Sequence, residues 1–120
     1  MRLEKRKHRR VKTHIDCIVF DNENKEEVFG EITDISAHGI GIKFKDLKYL
    51  KTGKRYKLQC INKFYFDEEY SILIIEIEFT RFMKHEQIIH SGAMITNKYV
   101  GQVEDYMHKI DVDNYMEHVK

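Results

Sequence analysis

Apolar and polar residues alternate along most of the chain, from residue 11 to residue 95. In the first segment Val11, Thr13, Ile15 and Cys17 share one face, and the residues between them are polar. This period of two is typical of a half-buried β-strand. Breaks rich in polar residues separate five further segments of the same kind. The pattern therefore predicts six strands, at residues 11–19, 28–35, 39–44, 55–61, 70–83 and 86–95.

The last quarter of the chain changes to a helical period. Behind Asn97, a residue that suits a helix cap, apolar side chains recur at intervals of four, three and four residues. These side chains belong to Tyr99, Val103, Tyr106 and Ile110. The spacing predicts an amphipathic helix of about three turns that starts near residue 97. A second apolar set within residues 112–119 either extends this helix or forms a further turn.

Six short strands with no helix between them favour an all-β fold, in which antiparallel sheets close as a sandwich or a barrel. The C-terminal helix is expected to cover an open end or edge of the sheet, and the alternative is a helix that binds a partner. A chain of 120 residues suffices for one domain with its own core.

The charges are distributed unevenly along the chain, although the net charge is only +1. Residues 1–12 contain seven lysines or arginines and one acidic residue, whereas residues 13–120 contain 14 basic and 19 acidic residues. We therefore expect a flexible basic arm at residues 1–12 and a single barrel domain at residues 13–120, which includes the helix from about residue 97. Such an arm either meets an anion or is a solvated tail.

Several classes of protein do not fit this sequence. No apolar run approaches the roughly 20 residues of a membrane-spanning helix, and no apolar stretch follows the basic N-terminus, so we expect a cytoplasmic protein without membrane insertion or a secretory signal. Cys17 and Cys60 are far apart and resemble small core residues. The seven histidines lack the spacing of a metal site, and no nucleophile–base arrangement stands out. We therefore expect no enzyme activity, metal or cofactor.

Two short motifs carry the chemistry. Arg6 and Arg10 form an R-x-x-x-R motif just before the first predicted strand, and Asp34, Ser36 and Gly39 form a D-x-S-x-x-G motif between the second and third. Each motif alone is weak, but together, in this order and strand context, they resemble the two motifs of PilZ domains. Residues 91–94 and the helix after them also resemble this family, so the resemblance covers essentially the whole chain. It implies a six-stranded antiparallel PilZ-type β-barrel with a C-terminal α-helix.

The ligand that this resemblance implies is cyclic di-GMP, which offers two guanines and two phosphates. A guanidinium forks onto guanine O6 and N7, stacks on a purine or pairs with phosphate, which a lysine cannot imitate. Asp34 supplies an acceptor for the N1–H and N2–H edge of guanine, and Ser36 offers a small hydroxyl. Gly39 allows a close approach to the backbone, or a turn with positive φ.

The resemblance also implies where the ligand lies and how many molecules bind. In PilZ domains the two motifs hold the ligand on the outside of the barrel, and the arm folds over it. A basic residue ahead of the first motif often accompanies two stacked ligand molecules in this family, so we lean towards two rather than one. The ligand contacts carried over are Arg6, Arg10, Asp34, Ser36 and Gly39, with Lys5 as a weaker candidate for phosphate and Arg9 as one that can exchange roles with Arg10.

The sequence thus predicts a receptor in bacterial second-messenger signalling, whose arm orders on ligand binding and then signals to an unidentified downstream protein. A degenerate PilZ module that only contacts proteins is the alternative, although both motifs are intact. A nucleic-acid partner is not expected, because the net charge of residues 13–120 is negative. We expect no regulatory domain ahead of the arm. The aromatic and acidic segment 64–69 is unusual for a loop and leaves open how a partner recognises the ligand-bound state.

Overall fold

The computed structural model describes residues 9–119, in which six antiparallel strands close into a barrel. Around the barrel the strands follow the order β1-β2-β3-β6-β5-β4. The predicted six-stranded antiparallel β-barrel is therefore confirmed. The elements are β1 (Val11–Phe20), β2 (Val28–Ile35), β3 (Gly39–Phe44), β4 (Arg55–Asn62), β5 (Ser71–His85), β6 (Ile88–Ile95), a 3₁₀ turn (Asn97–Tyr99) and α1 (Val100–Val119).

The interior of the barrel is filled by the apolar side chains that the alternation predicted. On β5, Leu73, Ile75, Ile77 and Phe79 are each at most 3% exposed. Phe79 packs edge-on against a phenylalanine of β3, with ring centroids 5.8 Å apart. Because each buried Leu, Ile or Phe side chain contributes about 1.5–3 kcal/mol, this set supplies much of the fold's stability.

The alternation is interrupted near the start of β1. The pairing with β2 shifts between Lys12 and Ile15, so that two residues of β1 oppose the single residue Thr33. This is a β-bulge, and it leaves Thr13 half-buried instead of in the core, where the alternation had placed it. β1 itself begins at Val11, inside the segment expected to be an arm.

Helix α1 is longer than the first apolar set predicted, because the second set continues it without a break to residue 119. Its buried residues include Val103, Tyr106 and Ile110. The Cys60 thiol donates a hydrogen bond to the Tyr106 hydroxyl at 3.5 Å, and burial raises the pKa of both groups. The side-chain amide of Asn114 donates to the Lys12 carbonyl at 3.3 Å. These contacts tie the helix to β4 and to the start of β1.

The aromatic and acidic segment between β4 and β5 is part of this packing. Phe64 is 2% exposed and stacks on Phe66, with ring centroids 5.8 Å apart, and it meets Tyr106 of α1 edge-on at 5.4 Å. The backbone N–H of Tyr65 donates to the Asp113 carboxylate. The segment therefore anchors the helix. Within residues 9–119, no helix combines the length and apolar character that crossing a membrane requires.

Candidate ligand-binding site

An open trough of about 500 Å³ lies on the outer face of the barrel, across β2, β3, β6 and β5. Its floor is one cross-strand row of four residues. Asp34 of β2 pairs with Gly41 of β3, Gly41 pairs with Gly92 of β6, and Gly92 pairs with Arg81 of β5. We call this set the glycine row. An aspartate thus stands at one end of the row and an arginine at the other, with two glycines between them.

The two glycines leave room for the charged side chains to lie over the floor. A Cβ atom on Gly41 would lie 2.5 Å from Oδ1 of Asp34, and one on Gly92 would lie 3.0 Å from Nε of Arg81. The first distance is far inside van der Waals contact, so any other residue at position 41 would force the Asp34 carboxylate to move. Gly41 therefore sets the position of Asp34.

Bulges precede both charged ends of the glycine row. The β2–β3 pairing skips Thr33, next to Asp34, and the β5–β6 pairing skips Thr80, next to Arg81. A bulge bends its strand and redirects the side chains beside it. The chain thus departs from regular sheet geometry at the two points where a charge is aimed over the trough.

The two sequence motifs meet at the Asp34 end. Arg10 precedes β1, and Lys12 of β1 pairs with Asp34, so the β1–β2 pairing brings together residues 24 apart in sequence. Nη1 of Arg10 lies 3.5 Å from Oδ2 of Asp34, and the side chains are 41% and 27% exposed. An exposed pair of this kind contributes at most about 1 kcal/mol to stability, so its polar groups stay available to a ligand.

Ser36 and Gly39 build the turn between β2 and β3. The Ser36 hydroxyl accepts the Gly39 N–H at 3.1 Å and lies 3.2 Å from the Gly39 carbonyl, to which it donates. Ser36 is 7% exposed, so the main role of its hydroxyl is to stabilise the turn. Gly39 does not take the positive φ that one interpretation of the motif required; among the described glycines only Gly53 does. A Cβ at Gly39 would make ordinary contacts of 3.4 Å and longer.

The other candidate contacts lie apart from the trough or outside the description. The Arg9 guanidinium bonds to the Asp111 carboxylate of α1, and this hydrogen bond raises the pKa of Arg9. Arg9 thus faces the helix, whereas its neighbour Arg10 faces Asp34. Lys5 and Arg6 lie outside residues 9–119.

Sequence reasoning missed three residues of the site, which are Gly41, Gly92 and Arg81. A glycine inside a strand pattern is a sign of close backbone approach, and both glycines carried that sign. No local sequence pattern pointed to Arg81, because its pairing with Gly92 depends on the bulge at Thr80. Among the described residues, no cluster of His, Cys, Asp and Glu side chains could hold a metal ion.

The PilZ domain family model matches residues 4–73, which is more than half of the chain and includes both motifs. The chain belongs to the PilZ family. The resemblance recognised from the two motifs is therefore confirmed. No curated protein matches the chain.

Solved structures of PilZ proteins share this fold. The PilZ domain with c-di-GMP of YcgR from Escherichia coli has a TM-score of 0.75 at 10% identity, over 98% of this chain and 99% of that one. The K. pneumonia MrkH–c-di-GMP complex has a TM-score of 0.70 at 15% identity and covers 96% of this chain. The Bacillus subtilis inhibitor of motility (MotI/DgrA) also has a TM-score of 0.70 at 15% identity, over 94% of this chain. This chain spans 56% of the MrkH chain and 54% of the MotI chain.

Proposed function

We propose that this protein is a cytoplasmic receptor for cyclic di-GMP that signals to a downstream protein and catalyses no reaction. The observation that carries the proposal is the meeting of Arg10 and Asp34 at one end of the glycine row. Two of the structures described above are c-di-GMP complexes, which supports the same ligand here.

The trough suits this ligand in charge and in shape. Asp34 accepts from the N1–H and N2–H edge of a guanine, while Arg10 forks onto O6 and N7 or pairs with phosphate. Because Gly41 and Gly92 have no side chains, the Asp34 carboxylate and the Arg81 guanidinium lie close to the sheet, which leaves room for a flat base above them. The Asp34 carboxylate and the Arg81 guanidinium lie over neighbouring glycines on adjacent strands, so a single ligand can contact both groups. Arg81 thus supplies the second cationic contact.

The arm completes the site in this proposal. Arg6 and Lys5 bring further positive charge to the ligand phosphates, and the lysine favours two stacked ligand molecules. Six net positive charges on residues 1–12 repel one another until the phosphates neutralise part of them. Ligand binding then orders the arm across the barrel, and the downstream protein binds the surface that the ordered arm presents.

Titration calorimetry with cyclic di-GMP tests the receptor proposal and gives affinity and stoichiometry together. We expect saturable binding with one or two ligands per chain. A short DNA duplex, titrated at two salt concentrations, is the control for a basic arm that binds any phosphate. Absence of heat at high micromolar cyclic di-GMP, together with failure to compete for a labelled ligand, would identify a degenerate module that contacts only proteins.

Hydrogen exchange tests the ordering of the arm. Ligand should protect the backbone amides of residues 5–10, which precede β1. The core of β5 is the internal control, because its amides are already protected by pairing on both sides beyond Ile77. Equal protection of residues 5–10 with and without ligand would contradict arm ordering and leave the reversal of surface charge as the signal.

A further inference from the structure

Strand β5 extends beyond its neighbour on one side. Ile95, the last residue of β6, pairs with Ile77, whereas β4 accompanies β5 as far as Ser71. Residues 71–76 of β5 therefore have a neighbouring strand on one edge only. We call this segment the free edge.

The orientation of neighbouring carbonyls shows which backbone groups of the free edge are unpaired. The Glu76 carbonyl accepts the Thr96 N–H at 3.0 Å on the β6 side, and the Phe79 carbonyl accepts the Gly53 N–H at 3.1 Å on the β4 side. Since successive residues of a strand direct their N–H and C=O groups to opposite edges, Ile72 and Ile74 direct theirs away from β4. No hydrogen bond within residues 9–119 reaches these groups from that side.

The outward-facing side chains of the free edge are exposed, although Leu73 and Ile75 between them point into the core. Ile72 is 60% and Ile74 49% exposed, and Ile61, which pairs with Ile72 across β4, is 51% exposed. Proteins normally protect such an edge with lysine, proline or a bulge, yet the β4–β5 register is regular here and the chain has no proline. An edge without bulges and with exposed isoleucines is suited to pairing with another strand.

Helix α1 runs beside the free edge and leaves a groove of about 400 Å³ between them. Gln102, Asp105 and Lys109 line the helical side of this groove. Lys109 reaches across to donate to the Ser71 hydroxyl at 2.9 Å. Asp105 and Lys109 lie one helical turn apart and carry opposite charges.

We propose that a second copy of this chain occupies the free edge. Two β5 strands pair antiparallel about a two-fold axis, with Ile72 of each copy opposite Ile74 of the other. This register satisfies the N–H and C=O groups of all four residues, because each of these residues directs both groups to the free edge. The exposed isoleucines of the two copies then form one continuous apolar surface.

The charges on α1 favour the same two-fold arrangement. A two-fold axis reverses the direction of the helix in the second copy, so Asp105 faces Lys109 of the second copy, and Lys109 faces its Asp105. The contact is isologous and closes at two copies. The trough uses β5 only from Thr80 onwards, so the inference does not depend on the proposed ligand, and the dimer leaves the trough open.

Sedimentation velocity of the full chain over a range of concentrations tests the dimer. We expect the mass to rise from 14.5 kDa to twice that value as concentration increases. Ile74→Lys should weaken association at least about tenfold, since it places like charges in a closely packed interface. Met83→Lys is the matched control, because Met83 is 62% exposed on the same strand but lies where β6 covers the edge.

A charge exchange tests the geometry. Asp105→Lys and Lys109→Asp should each weaken the dimer, because each places like charges opposite one another. An equimolar mixture of the two variants should form a heterodimer, because each introduced charge then faces an opposite charge in the other chain. The two substitutions lie in different chains, so improved folding of either chain alone cannot produce this rescue.

A mixture that stays monomeric, or an Ile74→Lys variant that dimerises like wild type, would overturn the proposal. A wild-type monomer at about 100 µM would also overturn it and leave an extended segment of another protein as the occupant.

Discussion

The two sides of this barrel are built differently. Across β1, β4 and β5 the pairing runs in unbroken register, from Arg55 opposite Glu78 to Asn62 opposite Ser71. Across β1, β2 and β3, and again where β5 meets β6, the register shifts three times. Two of these shifts lie beside the charged ends of the glycine row. Regular pairing thus lies away from the trough, and irregular pairing lies where the charged side chains of the glycine row extend over it.

The comparison separates stability from binding. The inward-facing residues of both sides are large and buried, whereas the outward-facing trough on the irregular side contributes an exposed ion pair and two glycines. Substitutions of inward-facing residues should therefore change the free energy of unfolding, and substitutions in the trough should change ligand affinity. The predictions below test this division, and the largest expected effect comes first.

Leu58→Ala should damage the regular side most. Leu58 of β4 is 0% exposed, so the substitution removes buried methyl groups and leaves a cavity, which costs about 2–5 kcal/mol. Urea unfolding measures the loss, and Gln59→Ala, on the outward face beside it, should change stability by less than about 0.5 kcal/mol. Ligand affinity of the folded Leu58→Ala protein should match wild type, and a large fall in affinity would contradict the division.

Arg10→Ala and Asp34→Ala should lower ligand affinity and leave the free energy of unfolding nearly unchanged. Each removes one ligand contact, so the free energy of binding should weaken by about 1–3 kcal/mol, or roughly five- to 150-fold in affinity. Arg10→Lys should restore only part of the affinity, since the planar fork is missing. Calorimetry and urea unfolding on the same samples separate the two effects. Wild-type affinity in Asp34→Ala would mean that the D-x-S-x-x-G motif here is only a turn.

Gly41→Ala should weaken ligand binding without changing either motif. The new Cβ displaces the Asp34 carboxylate, and we expect a loss on the order of 1 kcal/mol in binding, about fivefold. Gly101→Ala is the matched control, because no atom lies within 4 Å of a Cβ there and alanine favours the helix. Equal affinity in the two variants would show that Asp34 does not need its present position.

Arg81→Ala should have a smaller effect on binding. Arg81 is exposed, so water partly screens its charge, and we expect about a threefold loss of affinity. Lys84→Ala removes a positive charge from the same strand outside the trough and serves as the control. If both variants lose affinity equally, the contribution of Arg81 is general charge and not a contact in the glycine row.

Asp21, in the turn after β1, should give the weakest effect, and it appears only in acid. The Asn24 backbone N–H donates to its carboxylate at 2.8 Å and lowers its pKa below the ordinary value of 3.8. Its stabilising contribution is therefore present at neutral pH and is lost as pH falls through the lowered value. Unfolding of Asp21→Asn should depend less on pH below about pH 4 than unfolding of wild type. Identical pH profiles would contradict this role.

Local patterns in the sequence predicted most of the fold but only part of the site. Alternation sufficed for β5, because the burial of Leu73 or Ile77 depends only on neighbours along the strand. The half-burial of Thr13 could not be predicted, since a bulge is a relation between two strands. The pairing of Gly41 with Gly92 depends on register between strands about fifty residues apart in sequence, and no local pattern encodes it.

The glycine row also has a consequence for inheritance. Gly41 belongs to neither motif, yet the position of Asp34 depends on it. A single base change converts a glycine codon into an alanine codon, so we expect one mutation in a duplicated gene to weaken ligand binding about fivefold while every arginine and aspartate of the two motifs stays in place. Descendants of that kind would look intact when only the motifs are compared. The residue opposite the aspartate, on the next strand, is therefore the position to compare alongside the motifs.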